Sequence, residues 1–404
     1  MAPNGEVGFD MQYNLSYVKP SQRKVLQLAT SRSCYIDKPL GCSCYEDAFV
    51  LPHEDALVAG VATSSGAFIP STGLDGNEQR TFDRKNYVRR DIDAIYMGCF
   101  HWVWGHYLTD NIKRFWFLYT KECKLLLEQG AQLVFTCVCN KDITANGRLI
   151  FGMADVDASK FHLVKEPIQF RRLYVPDSSF VHSELTKDSS GERYFTKEYV
   201  QTIERIKQKI ESNIIKDKIY FSRTGLCSNF LREIGEWEIE RVFRRKGYEI
   251  IRPETLPLKD QLSLLANCTH FATTEGSIAH NAIFCQPHTS VEIIRKADYV
   301  NYYQLVINEV ADLDVTYIDA HHTTPPYGDN HVWFGPFYMC VTSYLKRWSQ
   351  LNICYVPYFF KATYWWYQLR RTSFIAKWIA NRNIVHRWEL LYWSKCANNS
   401  QREL

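Results

Sequence analysis

Residues 270–285 read HFATTEGSIAHNAIFC and carry the clearest structural signal in the chain. The first five residues, His270–Thr274, have the composition of a β-strand. Gly276 permits a sharp turn because it lacks a Cβ atom. The small and apolar residues from Ser277 to Cys285 predict a short helix. A strand that turns through glycine into a helix is typical of an α/β fold.

The same alternation extends to both sides of this segment. Leu258, Leu262 and Leu265 recur at i, i+4 and i+7, which marks one face of a helix. Gly247 suits the position just after a helix end. The predicted strands are 218–222, 248–251, 270–274, 290–294 and 315–319, and further helices are predicted at 229–246 and 299–310. This spacing predicts a parallel sheet with helices on both faces.

The first half of the chain predicts a second α/β unit. Its predicted strands are 48–52, 56–62, 94–98, 132–138, 161–164 and 172–175, and a helix is expected at 104–123. The polar stretch 177–192 is the best linker candidate. A length of 404 residues suggests two or three domains. We therefore predict an N-terminal α/β domain at 1–205, a Rossmann-like domain at 206–325 and a helical tail at 326–404.

The C-terminal tail is basic and rich in aromatic residues. From His331 to Leu404 the chain has ten Lys/Arg and two Asp/Glu, whereas the preceding residues have a net charge of −4. Seven of the 11 Trp lie after Asn330. Basic residues beside interfacial aromatics favour an anionic membrane surface as partner, although such a helix could equally pack back onto the domains. No recognised motif supports nucleic-acid binding, and the acidic body opposes it.

Thirteen scattered cysteines, the lack of a signal peptide and the lack of a long apolar run predict a cytoplasmic protein. Association with the inner face of a membrane would depend on the tail. The pairs at 42/44 and 137/139 do not match zinc or redox spacings, so we expect structural roles for them. The chain has no G-x-G-x-x-G after a predicted strand, which argues against a dinucleotide dehydrogenase.

Two turns at the carboxyl ends of predicted strands could bind an anion, because parallel sheets bind ligands at that edge. Gly276 and Ser277 open a helix whose first N–H groups suit a diphosphate, while Glu275 could accept a hydrogen bond from a sugar hydroxyl or act as a structural cap. Arg223 follows the strand at 218–222 and could bind phosphate oxygens. Asn229 and Glu236 lie on the following helix. Packing and solvated-surface roles remain alternatives for both turns.

His106 and Asp110 form a third candidate site in the first half of the chain. Residues four apart on a helix share one face, so these two side chains can interact. An imidazole held by a carboxylate, or the carboxylate itself, can deprotonate a hydroxyl. A histidine satisfied by a neighbouring acid is the structural alternative.

Five segments in register carry a resemblance to a known family. They are GHYLTDN, YFSR, NFLREIGEWEIE, GYEIIRPETLPLKDQLSLLANC and TTEGSIAHNAIF, the last followed by SVEII. Together they resemble glycosyltransferase family 61 over roughly residues 48–294. The resemblance implies a GT-B-like architecture of two facing α/β domains and inverting transfer from a nucleotide sugar without a bound metal. The chain departs from the family pattern at Glu275, where many relatives carry His.

The resemblance implies a donor site built from Arg223, Asn229, Glu275, Gly276 and Ser277, to which we add Glu236, with catalytic His106 and Asp110 across a cleft. We expect a hexosyl- or pentosyltransferase that uses a nucleotide sugar, in particular a UDP-sugar, and no other cofactor. The acceptor would be a glycan or lipid-linked glycan in surface polysaccharide synthesis. The Asp-x-Asp triplet at 91–93 precedes a predicted strand rather than following one. A non-catalytic, membrane-associated carbohydrate- or nucleotide-binding protein is the alternative.

Overall fold

The computed structural model describes residues 12–52, 59–73, 82, 84–137, 141–182, 193–226, 232–322, 335–353 and 356–380. In chain order its strands are β1 (Tyr13–Tyr17), β2 (Cys42–Glu46), β3 (Phe49–Leu51), β4 (Gly60–Ala62), β5 (Phe68–Ile69), β6 (Val88–Phe100), β7 (Gln132–Cys137), β8 (Phe161–Val164), β9 (Ile168–Pro176), β10 (Phe180–Val181), β11 (Tyr194–Phe195), β12 (Lys218–Phe221), β13 (Glu233–Ile234), β14 (Glu249–Ile251), β15 (His270–Thr274), β16 (Ser290–Arg295), β17 (Asp314–Asp319) and β18 (Phe337–Tyr338).

The described α-helices are α1 (Pro20–Thr30), α2 (Trp104–Tyr107), α3 (Phe115–Leu118), α4 (Lys121–Glu128), α5 (Ala145–Met153), α6 (Lys197–Gln208), α7 (Glu236–Arg245), α8 (Leu258–Asn267), α9 (Tyr302–Val310), α10 (Ser343–Ser349) and α11 (Ala362–Ala380). The chain is thus mixed α/β, as predicted. A six-stranded and an eight-stranded sheet form its framework, and β10–β11 and β13–β18 are two-stranded sheets.

The six-stranded sheet is parallel throughout, in the order β1–β17–β16–β15–β12–β14. Its four inner strands are largely apolar and buried, with side chains such as Ile219, Phe271 and Val291 fully enclosed. Burial on both faces is what a parallel sheet covered by helices requires. The predicted alternation of strands and helices in this half is therefore confirmed.

The strand order contains a topological switch point between β12 and β15. From β12 the chain crosses to β14 on one side and then returns to β15 on the other side. In open parallel sheets, the connections on the two sides of such a point diverge and leave a crevice at the carboxyl ends of the strands. The turns that follow β12 and β15 contain Arg223 and Gly276, respectively.

One edge of the six-stranded sheet comes from the beginning of the chain. Strand β1 pairs in parallel with β17, so that Tyr13 lies opposite Val315. This strand departs from the predicted division, which put all of residues 1–205 in the other unit. The pairing joins segments about 300 positions apart, and local sequence patterns do not report such contacts.

The eight-stranded sheet is mixed and runs β5–β4–β3–β9–β6–β7–β8, with β2 also paired to β9. Strands β6, β7, β8 and β9 are mutually parallel where they pair, and β2 to β5 add antiparallel neighbours. One hydrophobic cluster includes Ile95 and Phe135 of this sheet and Phe271 and Ile293 of the six-stranded sheet. The two sheets therefore share a continuous core.

The helix predicted at 104–123 is broken into α2, α3 and α4. Between α2 and α3, side chains bind main-chain atoms of distant segments. Asn111 pairs with the main chain of His101 through both its amide oxygen and its nitrogen. The buried Arg114 donates to the carbonyls of Pro176 and Ser71. These hydrogen bonds fix the segment between α2 and α3 to the surrounding chain.

Two further predicted helices are shorter in the structure. The helix expected at 277–285 is a 3₁₀ helix over Ala279–Phe284. The one expected at 229–246 is described only from Glu236 to Arg245, after the short strand β13 and Gly235. Gly235 has φ 102°, and an added Cβ would meet the carbonyl oxygen of Met339. Close passage of the β18 segment therefore requires glycine there.

Candidate functional site

A compact charged cluster lies at the switch point. The Arg223 guanidinium contacts the Glu233 carboxylate at 3.3 Å, and Lys296 Nζ lies 2.6 Å from the same carboxylate. Lys296 also lies beside Gly276, since a Cβ added there would be 3.2 Å from its Nζ. Arg223 and the Gly276 turn, predicted separately, are thus joined through Glu233 and Lys296.

The cluster combines charges of both signs, because the carboxylate of Glu233 interacts with Arg223, Lys296 and the nearby Arg232. Burial raises the pKa of Glu233, but Arg223 and Lys296 outweigh it and bring the pKa to about 2. Burial lowers the pKa of Lys296, with Glu233 opposing that shift. Arg223 is partly exposed, whereas Glu233 is buried behind it. The Arg223 guanidinium, the partly exposed member of the cluster, can therefore bind an anion.

Buried carboxylates hold the turn that carries Arg223. Glu236 Oε1 accepts hydrogen bonds from the Arg223 main-chain N–H at 3.1 Å and from Tyr220 Oη at 3.2 Å. Glu240 accepts from the hydroxyls of Ser222 and Thr224. Glu236 has no exposed surface. It therefore acts on the turn rather than facing the crevice as a donor ligand.

Glu275 points into the protein. Its side chain is 1% exposed, and its Oε2 has no hydrogen-bond partner among the residues that the structure describes. Burial raises its pKa to about 7, with Arg295 and Lys296 opposing the rise and Asp319 adding to it. A buried carboxyl group cannot reach a sugar hydroxyl in this arrangement, so the structural alternative fits Glu275 better. Gly276 and Ser277, in contrast, are only half-buried.

His106 and Asp110 are in contact despite the broken helix. His106 Nδ1 lies 2.6 Å from Asp110 Oδ2. Three other groups surround the carboxylate: Thr109 Oγ1 and Tyr303 Oη donate to Oδ2, each at 3.2 Å, and Lys113 Nζ lies 3.4 Å from Oδ1. Burial alone would raise the pKa of Asp110, but the Lys113 charge and the His106 contact lower it well below its usual range. Asp110 is therefore a fixed anion, and His106 is the more exposed partner.

The His106–Asp110 pair lies beside the turn that follows β15. Trp104 Nε1 donates to Asn281 Oδ1 at 2.8 Å. A Cβ added to Gly105 would lie 2.8 Å from His280 Nδ1 and 3.3 Å from Ser277. Gly105 thus lets α2 approach this turn closely. The site residues from the two halves of the chain are brought together here.

Tyr303, His182 and His280 adjoin the pair and were not predicted as site residues. The Tyr303 ring lies 3.5 Å from that of His182, 5.9 Å from that of His106 and 6.0 Å from that of His280 between centroids. Burial lowers the pKa of His182 and of His280 to about 3 in each case. Both imidazoles are therefore neutral near pH 7. Only His280 had a sequence signal, since it lies in the quoted 270–285 segment.

Other predicted candidates fall outside this site. Asn229 lies outside the described residues. Asp93 of the Asp-x-Asp sequence pairs with Arg171 and Arg172 on the eight-stranded sheet. Within the described ranges, no three His, Cys, Asp or Glu side chains are grouped as metal ligands.

Comparison with known proteins identifies the region that contains this site. Residues 104–291 match the family model described as Glycosyltransferase 61. This segment is a glycosyltransferase 61 domain. The recognition made from the motifs is confirmed, and the chain is a glycosyltransferase. No curated protein matches the chain.

The glycosyltransferase 61 domain contains the predicted residues of all three motifs, from His106 to Ser277. Tyr303 and Lys296 lie beyond its C-terminal boundary, although both contact residues within it. The domain therefore depends on the following strand and helix to complete the site. The roles of the individual residues remain predictions.

Proposed function

We propose that the chain transfers a sugar from a nucleotide sugar, in particular a UDP-sugar, to a glycan hydroxyl with inversion at the anomeric carbon. One observation carries this proposal: the cations Arg223 and Lys296 at the switch point and an Asp-oriented imidazole approach the same turn, Gly276–Ser277. We further propose that the two α/β units are the two facing domains of a GT-B-like enzyme.

The donor diphosphate would bind at the carboxyl ends of β12 and β15. Arg223 and Lys296 would face its oxygens, while the main-chain N–H groups of Gly276 and Ser277 would add neutral donors. Cleavage of the glycosidic C–O bond leaves negative charge on the diphosphate. Positioned donors of this kind contribute about 3–4 kcal/mol each to transition-state stabilisation, by analogy with oxyanion holes.

His106 is the better candidate for the general base. Its Nδ1 is engaged by Asp110, so Nε2 is the nitrogen that can accept a proton. The acceptor oxygen would attack the anomeric carbon, its proton would pass to Nε2, and the C–O bonding pair would leave with the diphosphate. Attack opposite the leaving group inverts the configuration. Asp110 would orient the imidazole and stabilise its charged form.

The positive charge of Arg223 and Lys296 supports metal-independent transfer, since these side chains can neutralise the leaving group. We propose a hexosyl- or pentosyltransferase that acts on a glycan or lipid-linked glycan in surface polysaccharide synthesis. The basic tail supports peripheral attachment to an anionic membrane, on its cytoplasmic face. None of the described helices is long and apolar enough to cross a bilayer.

A thermal-shift screen with UDP-, GDP- and CMP-sugars tests the donor site, because a ligand that binds the folded state raises the midpoint of unfolding. We expect a shift with one nucleotide class and a loss of that shift in Arg223→Ala. Arg89→Ala, a surface change on the eight-stranded sheet, is the matched control. An unchanged shift in Arg223→Ala would contradict the proposed site. Turnover that EDTA abolishes and Mg²⁺ or Mn²⁺ restores would contradict metal independence.

A further inference from the structure

Helix α11 packs with one side on the small β13–β18 sheet. Tyr367 is 1% exposed and lies in an apolar cluster with Ile234 of β13 and with Tyr338 and Cys340 of the β18 segment. Tyr338 Oη and Thr363 Oγ1 are 3.3 Å apart. Strand β13 also contains Glu233, the carboxylate shared by Arg223 and Lys296. The inner side of α11 thus packs against the β13–β18 sheet, which contains Glu233 of the candidate donor site.

The opposite side of α11 and the segment before it are apolar and exposed. Four large side chains form this surface, which we call the outer face, and their exposed fractions are Phe359 47%, Phe360 73%, Trp365 59% and Leu369 67%. Trp365 and Leu369 are four residues apart and therefore share a side of the helix. Contiguous exposed apolar side chains differ from the scattered single ones that are normal on protein surfaces.

The segment that contains the outer face is basic, although one of its lysines, Lys361, pairs with Glu238. From Gly335 to Ala380 the chain contains six Lys/Arg and no Asp or Glu. Arg370 and Arg371 lie on α11 directly after Leu369. An apolar face flanked by basic residues favours the interface of an anionic bilayer, where aromatic and aliphatic side chains enter the headgroup region and cations meet lipid phosphates.

We propose that the outer face docks on an anionic lipid surface, with α11 lying in the interface. The docking proposal identifies the surface used for the membrane attachment included in the proposed function, and it rests on that proposed function. Sugar transfer itself does not depend on the docking. Attachment through α11 would hold the β13–β18 sheet, and the charged cluster behind it, next to the lipid. A lipid-linked acceptor would then meet the donor site at the membrane surface.

Vesicle co-sedimentation of the full chain tests the docking. The probes are phosphatidylcholine vesicles with and without phosphatidylglycerol. The double variant Phe360→Asn/Leu369→Asn removes the two most exposed side chains of the outer face. The double variant Leu28→Asn/Ile215→Asn is the matched control, since those side chains are 72% and 73% exposed elsewhere.

We expect wild type and control to bind the phosphatidylglycerol vesicles, with binding weakened by salt, and the outer-face variant to bind at least about tenfold more weakly. Equal binding of all three proteins, no binding of wild type, or equal binding to both lipid compositions would overturn the proposal. So would a wild-type dimer that the outer-face variant converts to a monomer. Nucleotide-induced thermal shifts in the same proteins report separately on sugar-donor binding, and their absence with intact vesicle binding would refute only the donor site.

Discussion

Replacing Gly105 by alanine tests the contact between α2 and the turn that follows β15. The new Cβ would lie 2.8 Å from Nδ1 of His280, closer than side chains normally approach. His280 is 6% exposed and lies against Tyr303, so its ring has little room to move. Overpacking a filled site typically costs about 1–3 kcal/mol, and we expect the free energy of unfolding to fall by that amount.

The same substitution is expected to separate the His106–Asp110 pair from the Ser277 turn. A displacement on the order of 1 Å at a reacting group can lower turnover by about 10²-fold. Donor affinity should fall less than turnover, because the charged cluster around Arg223 is not displaced. Urea unfolding measures the stability, and initial rates at saturating donor measure the turnover.

Gly152→Ala is the matched control for this experiment. A Cβ added at Gly152, in helix α5, meets nothing within 4 Å. Alanine in a helix should stabilise the protein by about 0.5–1 kcal/mol relative to glycine. If Gly105→Ala unfolds at the same urea concentration as wild type and keeps its turnover, the close approach of α2 to Ser277 and His280 is not as described.

Four further substitutions test single residues of the site. His106→Ala and Asp110→Asn should each lower turnover by about 10²-fold or more while the nucleotide-induced thermal shift persists, and full activity in both would exclude this pair as the base. Tyr303→Phe removes one hydrogen bond to Asp110 and should lower turnover about tenfold with unchanged donor affinity. An equal loss of turnover and of donor affinity would instead indicate general disruption of the site. Glu275 has a pKa of about 7 in the folded state, above its ordinary 4.5, so wild type should lose stability as pH rises from about 4.5 to 7. The free energy of unfolding of Glu275→Gln, measured with urea, should therefore rise relative to that of wild type by about 2–3 kcal/mol over that range. A difference that stays constant with pH would show that burial does not raise the pKa of this carboxyl group.

The parallel sheet could be predicted closely because its strands are short, apolar and bounded by turn residues. The bounds of β15 match the prediction, and β12 and β16 differ by one residue at their ends. The His106–Asp110 contact was also predicted from i, i+4 spacing. The contact forms although Asp110 lies beyond the end of α2, in the turn that follows this helix.

The features of the site that were not predicted from the sequence depend on contacts between distant segments. Lys296 directly follows β16, so its place at the carboxyl edge was available as a signal, but its partner Glu233 was not. Tyr303 reaches Asp110 across 193 positions, and no local pattern marks it. Glu275 looked like a ligand because it adjoins Gly276; only the side-chain direction shows that it faces the core.

The pairing of β1 with β17 has a consequence for biosynthesis. The first described strand leaves the ribosome about 300 residues before its neighbour, which at about 5–20 residues per second is a wait of about 15–60 s. During that time the main-chain N–H and C=O groups of β1 have no neighbouring strand to pair with. If β1 paired with another segment instead, the edge of β17 would remain unpaired. A fragment that begins after β1 would expose that edge permanently, so shortened forms that keep the whole glycosyltransferase 61 domain but omit β1 are expected to self-associate.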